Sequence, residues 1–295
     1  MNTLVCIGFG YCAEALARRL REAGDWFIFG TSRTLEGRRV IAAKGFDGLT
    51  FDGEADGIEL ADVVSRASHM LISAPPDAHG DPVLRALASK LGEAKGLHWL
   101  GYLSTIGVYG DSMGDWVDED TPPHPSHDRA LRRLAAEQDW LEFGGREGVN
   151  VQIFRIGGIY GPGRNALADL KAGRARRIVK LGQVFNRIHV ADVALALEAA
   201  MLRGRPGRVY NLTDDEPAAP DDVIRHAAEL LGIPPPPPVA FEAAALSPMA
   251  ASFYADNRRV RNSRIKQELG VALRYPSYRQ GLADLLEAIN REVGK

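Results

Sequence analysis

Cysteine is scarce in this chain: Cys6 and Cys12 are the two thiols among 295 residues. They fall on a predicted strand and at the helix start that follows it, which excludes a disulfide framework and implies reduced, packed thiols. Charge of one sign is lacking too, since 36 lysines and arginines face 38 aspartates and glutamates. That balance gives no electrostatic reason to expect nucleic acid, anionic lipid or a solvated tail. The opening Met1-Asn2-Thr3-Leu4-Val5-Cys6-Ile7 has no cationic stretch and meets Gly8 after four apolar residues, too short a run for a secretory signal or a membrane span. His124 and His127 have a spacing that can chelate a metal, but Pro122, Pro123 and Pro125 around them predict a loop and no metal site. No internal repeat and no heptad array divides the chain. These absences lead us to expect a cytoplasmic monomer or homodimer whose partner is a small molecule, not nucleic acid or a membrane.

What is present is a large apolar fraction, 45% of residues beside 25% charged, enough to bury the core of one large or two unequal domains. Residues 4–7 form a short apolar run, Ala13, Leu16, Ala17 and Leu20 share one helical face, and residues 27–29 are apolar again, which spells a β-α-β unit. Further strands are predicted at 48–51, 70–73, 100–104 and 151–154, with helices near 83–94 and 130–143. This alternation predicts the α/β class, a Rossmann doubly wound parallel sheet with a smaller C-terminal substrate lobe. The dinucleotide-binding domain is assigned to residues 1–156 and the lobe to residues 157–295, where Gly157-Gly158, Gly161-Pro162-Gly163 and prolines 234–238 punctuate short elements. Residues 186–212 are expected to return to the main sheet through a strand at 209–212, and the proline run reads as a stiff surface connection.

The segment Gly8-Phe9-Gly10-Tyr11-Cys12-Ala13 fits the pattern G-x-G-x-x-G/A. In that pattern the first small residue permits a tight turn, the second lets a pyrophosphate approach the backbone, and the third allows close helix packing. A helix starting at Tyr11 aims unpaired amides and the positive end of its dipole at the phosphates. An NAD-selective site usually closes its second strand with an acidic residue, whereas this chain has Gly30-Thr31-Ser32-Arg33. Thr31 and Ser32 offer hydroxyls and Arg33 a guanidinium able to fork onto a 2′-phosphate, which favours NADP over NAD. Asp52 is placed either to accept from the adenine amine or to form a turn. Ser73-Ala74-Pro75-Pro76, after the fourth strand, is expected on the nicotinamide-ribose side.

Five later segments follow one another in order. They are Leu103-Ser104-Thr105-Ile106-Gly107-Val108-Tyr109-Gly110, Leu134-Ala135-Ala136-Glu137, Arg155-Ile156-Gly157-Gly158-Ile159-Tyr160-Gly161-Pro162-Gly163-Arg164, Arg187-Ile188-His189-Val190-Ala191-Asp192 and Val209-Tyr210-Asn211-Leu212. Together they resemble the short-chain dehydrogenase/reductase superfamily, in its extended, nucleoside-diphosphate-sugar epimerase/dehydratase-like branch. The resemblance implies an NAD(P) site that includes Ser104, and hydride chemistry run by a Ser or Thr, here Thr105, together with a Tyr and a Lys four residues beyond it. Such chemistry needs a phenol that exchanges a proton with the substrate oxygen and an ammonium that lowers its pKa. In this sequence those two positions hold Arg129 and Arg133. A guanidinium stays protonated, so Arg129 cannot exchange the proton, while Arg133 can still hold the cofactor ribose. The branch also usually carries G-x-x-G-x-x-G at the cofactor turn, so the chain looks like an atypical subgroup.

Tyr109 and Tyr160, each following a strand, are candidates for the missing proton donor, and His127 can titrate near neutrality. Arg164 and Arg187, with Arg155, are expected to bind an anionic or nucleotide-linked substrate. His189 and Asp192 resemble a family segment that lines the lobe and caps the next helix. The basic cluster Arg258, Arg259, Arg261, Arg264 and Lys266 lacks stacked aromatics and a nucleic-acid motif, and reads as a structural or anion-binding surface. Two functions stand open: an NADP-dependent oxidoreductase or epimerase acting on a polar small molecule, and a non-catalytic dinucleotide-binding sensor or assembly factor.

Overall fold

The computed structural model describes residues 2–54 and 57–293. The chain alternates β1 (Asn2–Ile7), α1 (Tyr11–Ala23), β2 (Trp26–Ser32), α2 (Leu35–Ala43), β3 (Asp47–Thr50), α3 (Ile58–Ser65), β4 (His69–Ile72), α4 (Pro82–Glu93) and β5 (Trp99–Thr105). After β6 (Trp116–Val117) come α5 (Asp128–Glu147), β7 (Val151–Ile156), β8 (Gly158–Tyr160), α6 (Ala166–Lys171), β9 (Arg177–Val179), β10 (Arg187–His189), α7 (Val190–Arg203) and β11 (Val209–Leu212). The remainder holds α8 (Pro220–Leu230), β12 (Pro238–Ala240), α9 (Pro248–Ala255), β13 (Arg259–Val260), α10 (Ser263–Leu269) and α11 (Tyr278–Val293).

One seven-stranded sheet runs β3-β2-β1-β4-β5-β7-β11, and all its neighbours are parallel. This is the Rossmann order, in which the chain builds outward from β1 and then crosses to β4, so a crevice opens between their carboxyl ends. Alternate residues of a strand point to opposite faces. Leu4 and Cys6 accordingly join a core with α1, α7 and α10, whereas Val5 and Ile7 join one with α3, α4 and α5. The buried runs of β5 and β7 follow from a sheet covered on both faces. A third, smaller core gathers Leu167 of α6, Val223 and Ala227 of α8, and Tyr278, Leu282 and Leu285 of α11.

Local chemistry fixes the helix that matters most for the site. The His127 imidazole caps α5 by accepting the Ala130 N–H at 3.2 Å, and Gly148, at φ +70°, ends it. Of residues 186–212, only Val209–Leu212 lies in the main sheet; Arg187–His189 pairs instead with Gly158–Tyr160 in a separate ribbon. Prolines 234–237 run along the surface into β12, which pairs with β9. Among the described residues no helix is long and apolar enough to cross a membrane, and no cluster of His, Cys, Asp or Glu could hold a metal ion.

Candidate functional site

The glycine turn leads from β1 into α1. Gly8 adopts φ +89°, and a Cβ there would stand 3.2 Å from the Ala74 amide nitrogen, so the end of β4 packs directly on its backbone. Thr31 holds the turn from the other side: its hydroxyl accepts the Gly8 N–H at 2.9 Å and its carbonyl accepts that of Phe9. The side chain is buried beneath the turn, so its role here is to shape the backbone that would meet the cofactor. Beyond Gly10 there is open space, with nothing within 4 Å of a would-be Cβ, and no side chain caps α1. The first-turn amides of Tyr11, Cys12 and Ala13 are thus free for an anion, and this fits a pyrophosphate. Only backbone serves there, since Cys12 and Ala13 are buried and burial pushes the Cys12 thiol up to about 11. The Tyr11 hydroxyl donates to the Pro162 carbonyl at 3.0 Å.

At the end of β2, the Ser32 hydroxyl sits against Gly37 in α2, while Arg33 is exposed and has no acidic partner among the described residues. A free guanidinium at this strand end fits a 2′-phosphate. Asp52 takes the turn-forming alternative, its carboxylate accepting the Glu54 N–H at 3.0 Å. Ser73 and Ala74 donate their amides to the Ile7 carbonyl, and Pro75 stands exposed beyond them.

On the other side of the crevice, several expected site residues have other partners. Ser104 donates its hydroxyl to Glu137, which also pairs with Arg155 at 2.8 Å, with 2% and 6% of these two side chains exposed. Ions so deeply buried need one another, so Ser104 is withdrawn from the cofactor and Arg155 from the substrate. The Arg155 guanidinium lies 4.8 Å from the centre of the Tyr109 ring, whose hydroxyl donates to Asn211 at 2.8 Å. Burial pushes the Tyr109 phenol up to about 12, a poor proton exchanger. Tyr160 donates to the Ser277 carbonyl at 3.3 Å and packs on Gly281, and burial raises its phenol further. Both hydroxyls are engaged within the protein, that of Tyr109 in the core and that of Tyr160 at the wall of the cleft. His189, pulled down to about 4 by burial, caps α7 through Ala191. Asp192 does not cap that helix; its carboxylate takes the Arg274 and Tyr275 amides at 2.7 and 3.0 Å.

What remains open is a cleft of about 580 Å³ between the sheet and the lobe, lined by Thr105, His127, Arg129, Arg133, Arg164 and Arg187 among others. Thr105 accepts the Gly107 N–H at 3.1 Å and keeps its own proton to donate. Arg133 is braced by the Tyr102 hydroxyl and Leu103 carbonyl, both at 3.0 Å, and Arg129 reaches Ser252 at 3.1 Å. Arg187 donates to the Phe185 and Ala218 carbonyls, and burial lowers its pKa. Ser252 and Phe253 of α9, and the buried pair Asp256 and Arg258, complete the wall. Sequence reasoning missed Ser252, Phe253 and Asp256, since no motif brings α9 to α5, and it had Arg258 only as part of a basic cluster. The rest of the basic cluster disperses onto partners: Arg259 on Gly114, Arg261 over Trp116, Arg264 on Asp120 and Lys266 on Asp215.

Residues 82–213 match the NAD dependent epimerase/dehydratase family. Protein YeeZ of Escherichia coli (strain K12) is 27% identical over 246 residues, 80% of this chain and 86% of its own. The 3-diazoavenalumate denitrifying reductase of Streptomyces sp is 27% identical over 310 residues, 96% of this chain and 99% of its own. Among solved structures, a functionally unknown conserved protein from Silicibacter pomeroyi DSS is 48% identical with a TM-score of 0.88, covering 98% of this chain and 99% of that one. Taken with the strand order, the uncapped helix at the glycine turn and the cleft beside it, these matches fit the short-chain dehydrogenase/reductase superfamily, in its extended epimerase/dehydratase-like branch.

Proposed function

We propose that the protein is an NADP-dependent oxidoreductase or epimerase acting on a polar, anionic small molecule in the cytoplasm. The observation that carries this reading is the hydrogen bond from the Tyr11 hydroxyl to the Pro162 carbonyl, which holds the start of α1 against the loop whose Arg164 lines the cleft. Dinucleotide turn and arginine-lined cleft are on this reading one continuous site. A bound nicotinamide would supply the hydride. The chain's own work is then to hold the pyrophosphate on the α1 amides and the 2′-phosphate on Arg33, and to draw the substrate's negative groups to Arg164 and Arg187. Thr105 offers its hydroxyl as a hydrogen-bond donor to the substrate oxygen. His127, whose Nδ1 accepts from Ala130, presents its Nε2–H as a second hydrogen-bond donor, and the proton that completes a reduction comes from water. That a relative matching nearly the whole chain is a reductase supports reduction over epimerisation.

Fluorescence titration with NADPH and NADH tests the cofactor. NADPH should bind about tenfold or more tightly than NADH, and Arg33→Asp should abolish the difference; equal affinities in the wild-type protein would end the NADP reading. Consumption of NADPH with a panel of carbonyl compounds and nucleotide sugars tests catalysis. The engaged hydroxyls of Tyr109 and Tyr160 favour a second reading, a non-catalytic dinucleotide-binding sensor or assembly factor. Tight NADPH binding with neither cofactor consumption nor an epimerised or dehydrated product across the panel would carry that one.

A further inference from the structure

We propose that Arg129 and Arg133 together anchor an oxyanion of the substrate, a carboxylate or phosphoryl group, at the positions where related enzymes keep a proton-exchanging pair; this rests on the reading of the cleft as the substrate site. The two residues lie one turn apart on α5, so their side chains share a face, and both line the cleft. Like charges at that spacing oppose one another unless an anion lies between them. Two other arginines nearby are neutralised, Arg155 by Glu137 and Arg258 by Asp256, whereas Arg164 and Arg187 in the same cleft make no ion pair among the described residues and add to its positive charge. Asp256 is also the one carboxylate among the residues that line the cleft. Arg129 and Arg133 have no acidic partner among the described residues. Their protein contacts go to a serine hydroxyl, a tyrosine hydroxyl and a main-chain carbonyl, all neutral.

These neutral contacts orient the guanidiniums without discharging them. Arg133 uses Nη1 alone on Tyr102 and Leu103, and Arg129 uses Nη2 alone on Ser252, so each keeps N–H donors for a planar, bidentate acceptor. The walls of the cleft screen the charges less than open water does, which strengthens an anion's hold. The site accordingly moves Arg133 from the cofactor ribose to the substrate.

The test is calorimetric titration of the full-length protein, with and without NADP, using oxalate and inorganic pyrophosphate as probes. At least one anion should bind, with Arg129→Met and Arg133→Met each weakening it about tenfold or more. Arg129→Lys should recover part of the loss, and Arg39→Met, on exposed α2, should change nothing. With NADP bound, so that the α1 amides are occupied, tighter binding of oxalate assigns a carboxylate, and tighter binding of pyrophosphate a phosphoryl group. Binding of neither probe, or binding unaltered in both methionine variants, overturns the anchor. NADP binding without anion binding sinks the anchor alone; anion binding that depends on Arg129, with no NADP binding, sinks the dinucleotide reading and leaves the anchor. Should Arg133→Met unfold, Arg129→Met decides, because its partner Ser252 lies outside the core.

Discussion

At the scale of single residues, the cofactor turn depends on a threonine that reads as a ligand. Thr31→Val removes the acceptor of the Gly8 N–H and is expected to cost about 1 kcal/mol in urea denaturation while weakening NADPH binding; Thr31→Ser should restore both. Gly8→Ala forces a side chain into φ +89° against Ala74, a strain of about 1–3 kcal/mol, and should lower both stability and affinity. The glycines were legible because their requirement is local. Ser104 and Tyr109 were not, because the groups that engage their hydroxyls lie 33 and 102 residues away. A spacing along the chain says where a side chain stands, but not which distant ion has already claimed it.

At the scale of elements, α5 does two things at once. Its outer turns present Arg129 and Arg133 to the cleft, and its inner face carries Glu137 to Arg155 and Ser104. Glu137→Gln leaves the Arg155 charge buried without a counter-ion and should destabilise by about 3–5 kcal/mol, whereas Glu137→Leu with Arg155→Met should cost far less. A double-mutant cycle followed by chemical denaturation gives the coupling. The first half of the fold was readable since each strand or helix there buries one face. The second half was harder for a physical reason: α7 is rich in alanine and packed between α1 and α10, so Val193, Ala194, Ala196, Leu197, Ala199 and Ala200 are all buried and little periodicity survives. Strands β8, β9 and β10, three residues each, leave still less pattern to find.

At the scale of the whole molecule, buried and half-buried titratable groups set opposing pH responses. Asp214 is 2% exposed, its Oδ2 has no partner in the described structure, and burial pushes its carboxyl from 3.8 up to about 8. Between those values the native chain holds a proton that the unfolded chain has released, so its contribution to stability declines as pH rises through that window. Asp214→Asn is free of that loss, and its Tm advantage over wild type should widen from about pH 4 to about pH 8. Burial pulls His69 and His189 from 6.5 down to about 4, with the opposite sign. Their unfolded forms bind protons first as the solution is acidified, so stability falls as pH drops through that window.

The hydrogen bond from Tyr11 to Pro162 spans 151 residues of sequence, from the first turn of α1 to the glycine-rich loop after β8. On the proposed dinucleotide reading, that bond is a latch across the pyrophosphate end of the crevice, and the time a dinucleotide stays bound would be governed separately from how tightly it is held. Tyr11→Phe should speed NADP release several-fold in stopped-flow displacement, with a smaller change in Kd, because entry quickens as well. Each turnover would then be timed by the loosening of one phenol from one carbonyl.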